Sequence, residues 1–154
     1  MEPLAIRPAR PEDTPTLVEF QLLMARETEG LELDPAVVTR GVQAVFEEPA
    51  RGAYWVAERG GEAPKIAGSL LTTPEWSDWR AATVLWIQSV YVVPGERGRG
   101  VYRALHEHLR SVVQESPGLA GLRLYVDRRN TGAQRVYEQL EMSAEHYAMY
   151  EWMK

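Results

Sequence analysis

Apolar positions along this chain switch between two periods, and the switches mark its elements. Leu17, Phe20 and Met24 recur at helical spacing, which predicts a helix from Pro11 to about Glu27, with Glu12 and Asp13 in its first turn. Gly30 breaks it, and Asp34-Pro35 supplies an N-cap and first position for a second helix reaching about Glu48. Alternating or continuous apolar runs predict strands at Leu4 to Arg7, Ala53 to Glu58, Lys65 to Thr73, Ala82 to Val93, Gly121 to Val126 and His146 to Trp152. Gly60-Gly61 reads as a hairpin connection, and Pro74 to Arg80 as a polar, aromatic loop. Helical patterns return from Val101 to Val113 and from Asn130 to Leu140. Strands and helices in this order predict an α/β layout with helices on both faces of a mixed sheet.

Composition narrows the class without changing that layout. The chain has 154 residues, 45% hydrophobic and 25% charged, which fits one soluble domain spanning residues 1–154. A formal net charge of -5 argues against nucleic acid or an anionic membrane as partner. With no cysteine, a thiol acyl-enzyme, disulfides and cysteine-ligated zinc are excluded. The N-terminus lacks the pattern of a signal peptide, and no run approaches a membrane span, so a cytoplasmic location is expected.

The chemistry concentrates where the long strand stops at Pro94. Gly95, Gly98 and Gly100 alternate with Arg97 and Arg99, and a helix begins at once. The first N–H groups of a helix lack internal partners and sit at the positive end of its dipole, so this is an anion site by construction. Glycine lets a phosphate approach the backbone, and two guanidiniums suit a ligand carrying a di- or triphosphate. The loop lacks the Lys-Ser/Thr of a Walker A motif, and Arg103 stands where a third dinucleotide-binding glycine would be.

Arg97-Gly98-Arg99-Gly100-Val101-Tyr102 resembles the pyrophosphate loop of the GCN5-related N-acetyltransferase family, departing at Tyr102, where the family has a small residue. Asn130, Ala133 and Tyr137 match that family's Asn-x-x-Ala-x-x-x-Tyr motif, although Glu141-Met142 replaces the usual Gly-Phe that closes the helix. The resemblance implies a mixed central sheet whose central strands splay, here with a shortened C-terminal strand region. It implies acetyl-CoA as acyl donor and an amine as acceptor, transfer within a ternary complex, and no metal. It places the pyrophosphate on the backbone of Gly98, Arg99, Gly100, Val101, Tyr102 and Arg103 with help from Arg97. The thioester carbonyl falls to the main chain of Val90, Tyr91 and Val92, as an oxyanion-type donor. Asn130 is expected to touch the pantetheine arm or cap its own helix, and Tyr137 to return a proton to the departing thiolate.

The general base is less defined. Family members carry a glutamate on the long central strand, but Leu85 to Ser89 holds none; Trp86 and Gln88 occupy that stretch, and Gln88 can only hold a water. Glu27, Glu29 and Asp78 are the candidate carboxylates for the base, and with Trp76 and Trp79 they are expected to line an aromatic, acidic pocket for an ammonium. His106, His108 and His146 lack metal-pair spacing. An N-acetyltransferase acting on a primary amine is the first reading. A non-catalytic acyl-CoA-binding or regulatory domain is the alternative, and an ATP- or NAD-binding α/β protein is the third. Monomer and homodimer are both compatible with the sequence.

Overall fold

A computed structural model describes residues 2–154, which fall into two compact units, one up to Arg123 and one from Leu124 to Lys154. The first unit holds a five-stranded sheet in the order β1 (Leu4–Pro8), β2 (Ala53–Arg59), β3 (Lys65–Ser77), β4 (Ala82–Val92), β5 (Leu119–Arg123). Neighbours are antiparallel except β4 and β5, which run parallel. The sheet is therefore mixed, as expected.

Helices cover both of its faces. Tyr54 and Val56 point to one face of β2 and pack with Leu17 of α1 (Thr14–Glu29) and Val42 of α2 (Pro35–Glu47). Trp55 points to the other face, where its ring lies 5.1 Å from that of His108 on α3 (Val101–Glu115). Gly68 on β3 lets α3 come close: a Cβ there would meet the Tyr91 carbonyl at 2.8 Å and Val101 Cγ1 at 3.0 Å. The start of α3 is thus seated against the end of β4.

The predicted caps are present. The Asp34 carboxylate accepts from Ala36 N at 2.9 Å at the start of α2. Gly30 takes a left-handed conformation after α1, and Leu31 N donates back to the Ala25 carbonyl at 3.2 Å. Arg7 ties β1 to the segment before α1 and to β2 through Asp13 and Glu58, each at 2.8 Å.

Three expectations fail. The stretch from Pro74 does not leave the sheet: β3 runs on to Ser77 opposite Ala82, and only Asp78 to Ala81 form the turn. A loop-like composition is overridden by pairing with a long, strongly β-forming neighbour. β5 begins at Leu119 and ends at Arg123, so Leu124 to Val126 are not strand. The tail from His146 to Trp152 forms no strand either. Its β-like residues stay exposed, Tyr147 at 84% and Tyr150 at 96%, because strand preference expresses packing on a neighbour rather than a property of the segment.

In the second unit, α4 (Thr131–Gln139) is capped by Asn130, whose side-chain oxygen accepts from Ala133 N at 3.1 Å. Glu141 adopts the left-handed conformation (φ 66°) that glycine usually takes there, and Met142 N donates to the Tyr137 carbonyl at 3.0 Å. The helix stop survives without its glycine.

Candidate active site

β4 changes character halfway along its length. From Thr83 to Trp86 it is laddered on both sides, to β3 and to β5; the pairing with β5 ends at Trp86 opposite Arg123. From Ile87 to Val92 the ladder continues only with β3. The ladder on this side stops with the last residue of β5. A register shift accompanies it: Leu71 faces Ser89 and Thr72 faces Ile87, leaving Gln88 as the extra residue of a bulge.

The direction of the main-chain groups beyond the bulge follows from one bond. Val93 N donates to the Ala67 carbonyl at 2.9 Å, so Val93 and Ala67 form a hydrogen-bonded pair. Alternation along an antiparallel ladder then turns Tyr91 toward β3, and turns the N–H groups of Val90 and Val92 toward the side that β5 has left. Of the three amides expected to act as oxyanion-type donors, those of Val90 and Val92 face away from β3, and that of Tyr91 is taken up by β3.

The strand feeds a short 3-10 turn, Pro94–Glu96, and then the glycine loop. Gly98 (φ 74°) and Gly100 (φ 77°) are left-handed, and a Cβ added at either would meet no heavy atom within 4 Å. The backbone conformation calls for glycine and the surface above it is open. Ala104 N donates to the Gly100 carbonyl at 2.9 Å, the first bond of α3, so the N–H groups of Val101, Tyr102 and Arg103 lie in the helix's unsatisfied first turn. Val101 is buried beneath them, and the Tyr102 hydroxyl lies 3.2 Å from His106 Nδ1, which keeps this larger side chain on its own helix.

The arginines of the loop differ. Arg99 is exposed, 3.7 Å from Glu96, and Arg103 is exposed, 3.8 Å from Glu107. The Arg97 side chain is already engaged. Its Nε donates to the Val92 carbonyl at 2.9 Å and its Nη2 to Glu27 at 2.7 Å, with the guanidinium 5.6 Å from the centre of the Tyr91 ring.

Glu27, on the last turn of α1, also accepts from the Tyr91 hydroxyl at 3.1 Å. Arg97, above all, holds its carboxyl below the usual range, and burial with the Glu27 bond pushes the Tyr91 phenol up. Glu27 is an ion-paired carboxylate beside the one-sided half of β4, which suits a binding role better than that of a free base.

The remaining acceptor candidates do not join it. Asp78 and Trp79 sit in the turn between β3 and β4, where the Asp78 carboxylate accepts from Trp79 N at 2.9 Å. Trp76 pairs with Thr83 at the start of β4. At about 3.3 Å per residue this is about 25 Å from Tyr91. Trp76 and Trp79 are 66% and 93% exposed and wall no cleft beside Val90 to Val92. A single pocket lined by Glu27, Glu29, Trp76, Asp78 and Trp79 is therefore not formed. The long extension of β3 carries the last three to the opposite end of the strand. Glu29 closes α1 and is exposed.

The sequence reading missed Glu75. Its carboxylate accepts from Trp86 Nε1 at 2.9 Å and from Arg123 Nη1 at 2.6 Å, at the last pair of the β4–β5 ladder. Register places Glu75, Trp86 and Tyr91 on one face of the sheet, the face that α1 and α2 cover. Gln88 donates to the Thr73 hydroxyl at 2.9 Å nearby. The signal available in the sequence was Glu75 at an i, i+2 spacing from Thr73, legible only once the strand is extended through Pro74.

In the second unit, the Asn130 side-chain oxygen is engaged in capping α4. Burial pushes the Tyr137 phenol up, so it is protonated throughout the neutral range. Among the described residues no group of three or more His, Asp or Glu side chains could hold a metal ion, and no helix is long and apolar enough to cross a membrane.

Residues 18–142 match the sequence model of the acetyltransferase (GNAT) family. A crystal structure described as a possible acetyltransferase from Clostridium difficile 630 is similar to 98% of this chain and 97% of its own, at 38% identity and a TM-score of 0.89. Two more distant structures share the fold at 16% identity. One is an aminoglycoside acetyltransferase from an uncultured soil metagenomic sample in complex with sisomicin, with a TM-score of 0.77, covering 98% of this chain and 95% of its own. The other is a ribosomal-protein-alanine N-acetyltransferase from Brucella melitensis biovar Abortus 2308, with a TM-score of 0.76, covering 99% and 100%. No curated protein matches the chain.

Proposed function

We propose, from the premise that this chain belongs to the acetyltransferase (GNAT) family, that it carries the acetyl group of acetyl-CoA directly to a primary amine within a ternary complex. The observation that carries the reading is the one-sided half of β4, with the N–H groups of Val90 and Val92 facing away from β3, running straight into the glycine loop and the first turn of α3. One continuous backbone thus offers donors for a polarised thioester carbonyl and, beyond them, a cradle for a pyrophosphate.

In the reaction, the neutral amine nitrogen attacks the thioester carbon. The C–S bond breaks, the thiolate leaves and takes up a proton, and the amine loses one. Val90 and Val92 stabilise the oxyanion. The tyrosine at the family's motif position is Tyr137, and a phenol kept protonated by burial can supply the thiolate's proton. A carboxylate suits a cationic acceptor, and Glu75, oriented by Trp86 and Arg123 on the α1–α2 face, fits that role. Gln88, exposed at the bulge, can hold a water that carries the amine's proton away. Structures that share the fold extend from an aminoglycoside acetyltransferase to a ribosomal-protein-alanine N-acetyltransferase, and what their named acceptors have in common is a primary amine.

Release of free CoA thiol from acetyl-CoA, measured across a panel of polyamines, amino sugars and peptide amines, tests the reading. Amine-dependent release well above hydrolysis supports it. CoA binding with no turnover on any amine favours a non-catalytic acyl-CoA-binding domain instead.

A further inference from the structure

Three elements meet at the Glu27 carboxylate. One oxygen accepts from Tyr91 on β4 at 3.1 Å, and the other from Arg97 of the glycine loop at 2.7 Å, while Glu27 itself lies on the last turn of α1. Tyr91 is held firmly, 4% exposed and with its ring 4.9 Å from that of Phe20. Arg97 is held by the Val92 carbonyl, to which its Nε donates at 2.9 Å, and by Glu27, but its side chain is 49% exposed and that of Glu27 37%, which makes the ion pair weak and screened by solvent. Arg97 lies within the loop that leads to Gly98 and Gly100. Arg97 stands three residues before Gly100, the N-cap of α3, so the anion site at the start of that helix is close to it along the chain. A pyrophosphate there, with more charge than one carboxylate and the helix amides beside it, is the stronger partner.

We propose that Glu27 and the donor's pyrophosphate compete for Arg97, so that Glu27 is a positioning residue that sets donor affinity through this arginine. Before the donor binds, Glu27 holds Arg97 over the Tyr91 ring. The donor draws it off, and Glu27 is left bonded to Tyr91 with its charge no longer offset, at the edge of the α1–α2 face. The inference rests on the acyl-CoA reading above, and it has a consequence that reading does not. Removing Glu27's charge should improve donor binding, whereas loss of a merely structural contact would leave it unchanged or weaken it.

Calorimetric titration of CoA into the folded protein tests this with a double-mutant cycle. Glu27→Gln, which keeps an acceptor for Tyr91, should tighten CoA binding by about twofold to fivefold, the range a released exposed pair allows. Arg97→Ala should weaken it, and Glu27→Gln added to Arg97→Ala should change nothing further. Glu27→Ala serves as a second variant, with circular dichroism confirming the fold. Unchanged or weaker CoA binding in both Glu27 variants overturns the proposal. So does equal tightening with Arg97 absent, which would mean only a general effect of charge. If the unaltered protein binds no CoA, the donor reading falls and this inference falls with it.

Discussion

The two ends of β4 are built from the same kind of residue and do different work. At its start, Thr83 to Trp86 are locked between β3 and β5, and the turn before them exposes Trp76 and Trp79. At its end, Ile87 to Val92 keep one neighbour, and the freed side points Val90 and Val92 toward whatever binds there. Aromatic and acidic side chains crowd the first end, yet the chemistry proposed above belongs at the second, where main-chain donors, left-handed glycines and an open helix terminus follow one another. A doubly laddered strand has spent its hydrogen-bonding groups on structure. A strand that loses a neighbour keeps half of them for a ligand, provided neighbouring elements hold it in place. Gly68, by admitting α3 close against the end of β4, is part of that support.

The sharpest way to break this contrast is to fill the open end. Gly100→Glu places a side chain on a left-handed residue and a negative charge in the cradle. CoA affinity should fall by at least about a hundredfold, on the order of 3 kcal/mol. Calorimetry on a variant with native circular dichroism decides it, and unchanged affinity would remove the cradle from this loop.

The next effect separates main chain from side chain. If β4 supplies only backbone donors, proton return to the thiolate needs a side chain, and Tyr137→Phe should lower kcat by roughly tenfold to a thousandfold with CoA affinity little changed. Burial raises the phenol above its ordinary value, so the alkaline loss of kcat in the unaltered enzyme should lie above about pH 10. A kcat that survives the substitution while chemistry limits the rate makes Tyr137 a packing residue.

What could be read from the sequence divides along the same strand. The order of helices and strands through α3 was legible because its signals are local: Asp34-Pro35 caps α2, Gly30 ends α1, and the β4 run stops at Pro94. The glycine loop was legible for the same reason. Pairing was not. Whether Pro74-Glu75-Trp76 leaves the sheet depends on how long β4 holds it, and that error moved Asp78 and both tryptophans into the wrong end of the molecule while hiding Glu75. The tail from His146 failed similarly, since seven residues of β-forming composition make a strand only where a partner edge meets them. Arg97 and Glu27 were both singled out from sequence, but their attachment to each other joins positions far apart in the chain and needed the fold to bring α1 to the end of β4.

The last and smallest effect compares two carboxylates three residues apart in sequence, one on β3 and one in the turn that follows it. Glu75 is oriented by Trp86 and Arg123 where the ladder with β5 ends; Asp78 caps its own turn beyond the start of β4. If the acceptor ammonium is read beside the splay, Glu75→Gln should raise KM for the amine by about tenfold, near what one charge-assisted hydrogen bond is worth, with CoA affinity unchanged. Asp78→Asn keeps an oxygen for Trp79 N and should leave KM within about twofold, as a surface substitution does. Steady-state kinetics with the best amine of the panel provides the measurement. The reverse result, an effect at Asp78 and none at Glu75, would return the acceptor to the tryptophan end of β4. It would then require the amine site and the Val90–Val92 donors to be about 25 Å apart along one strand, a separation no direct transfer can span.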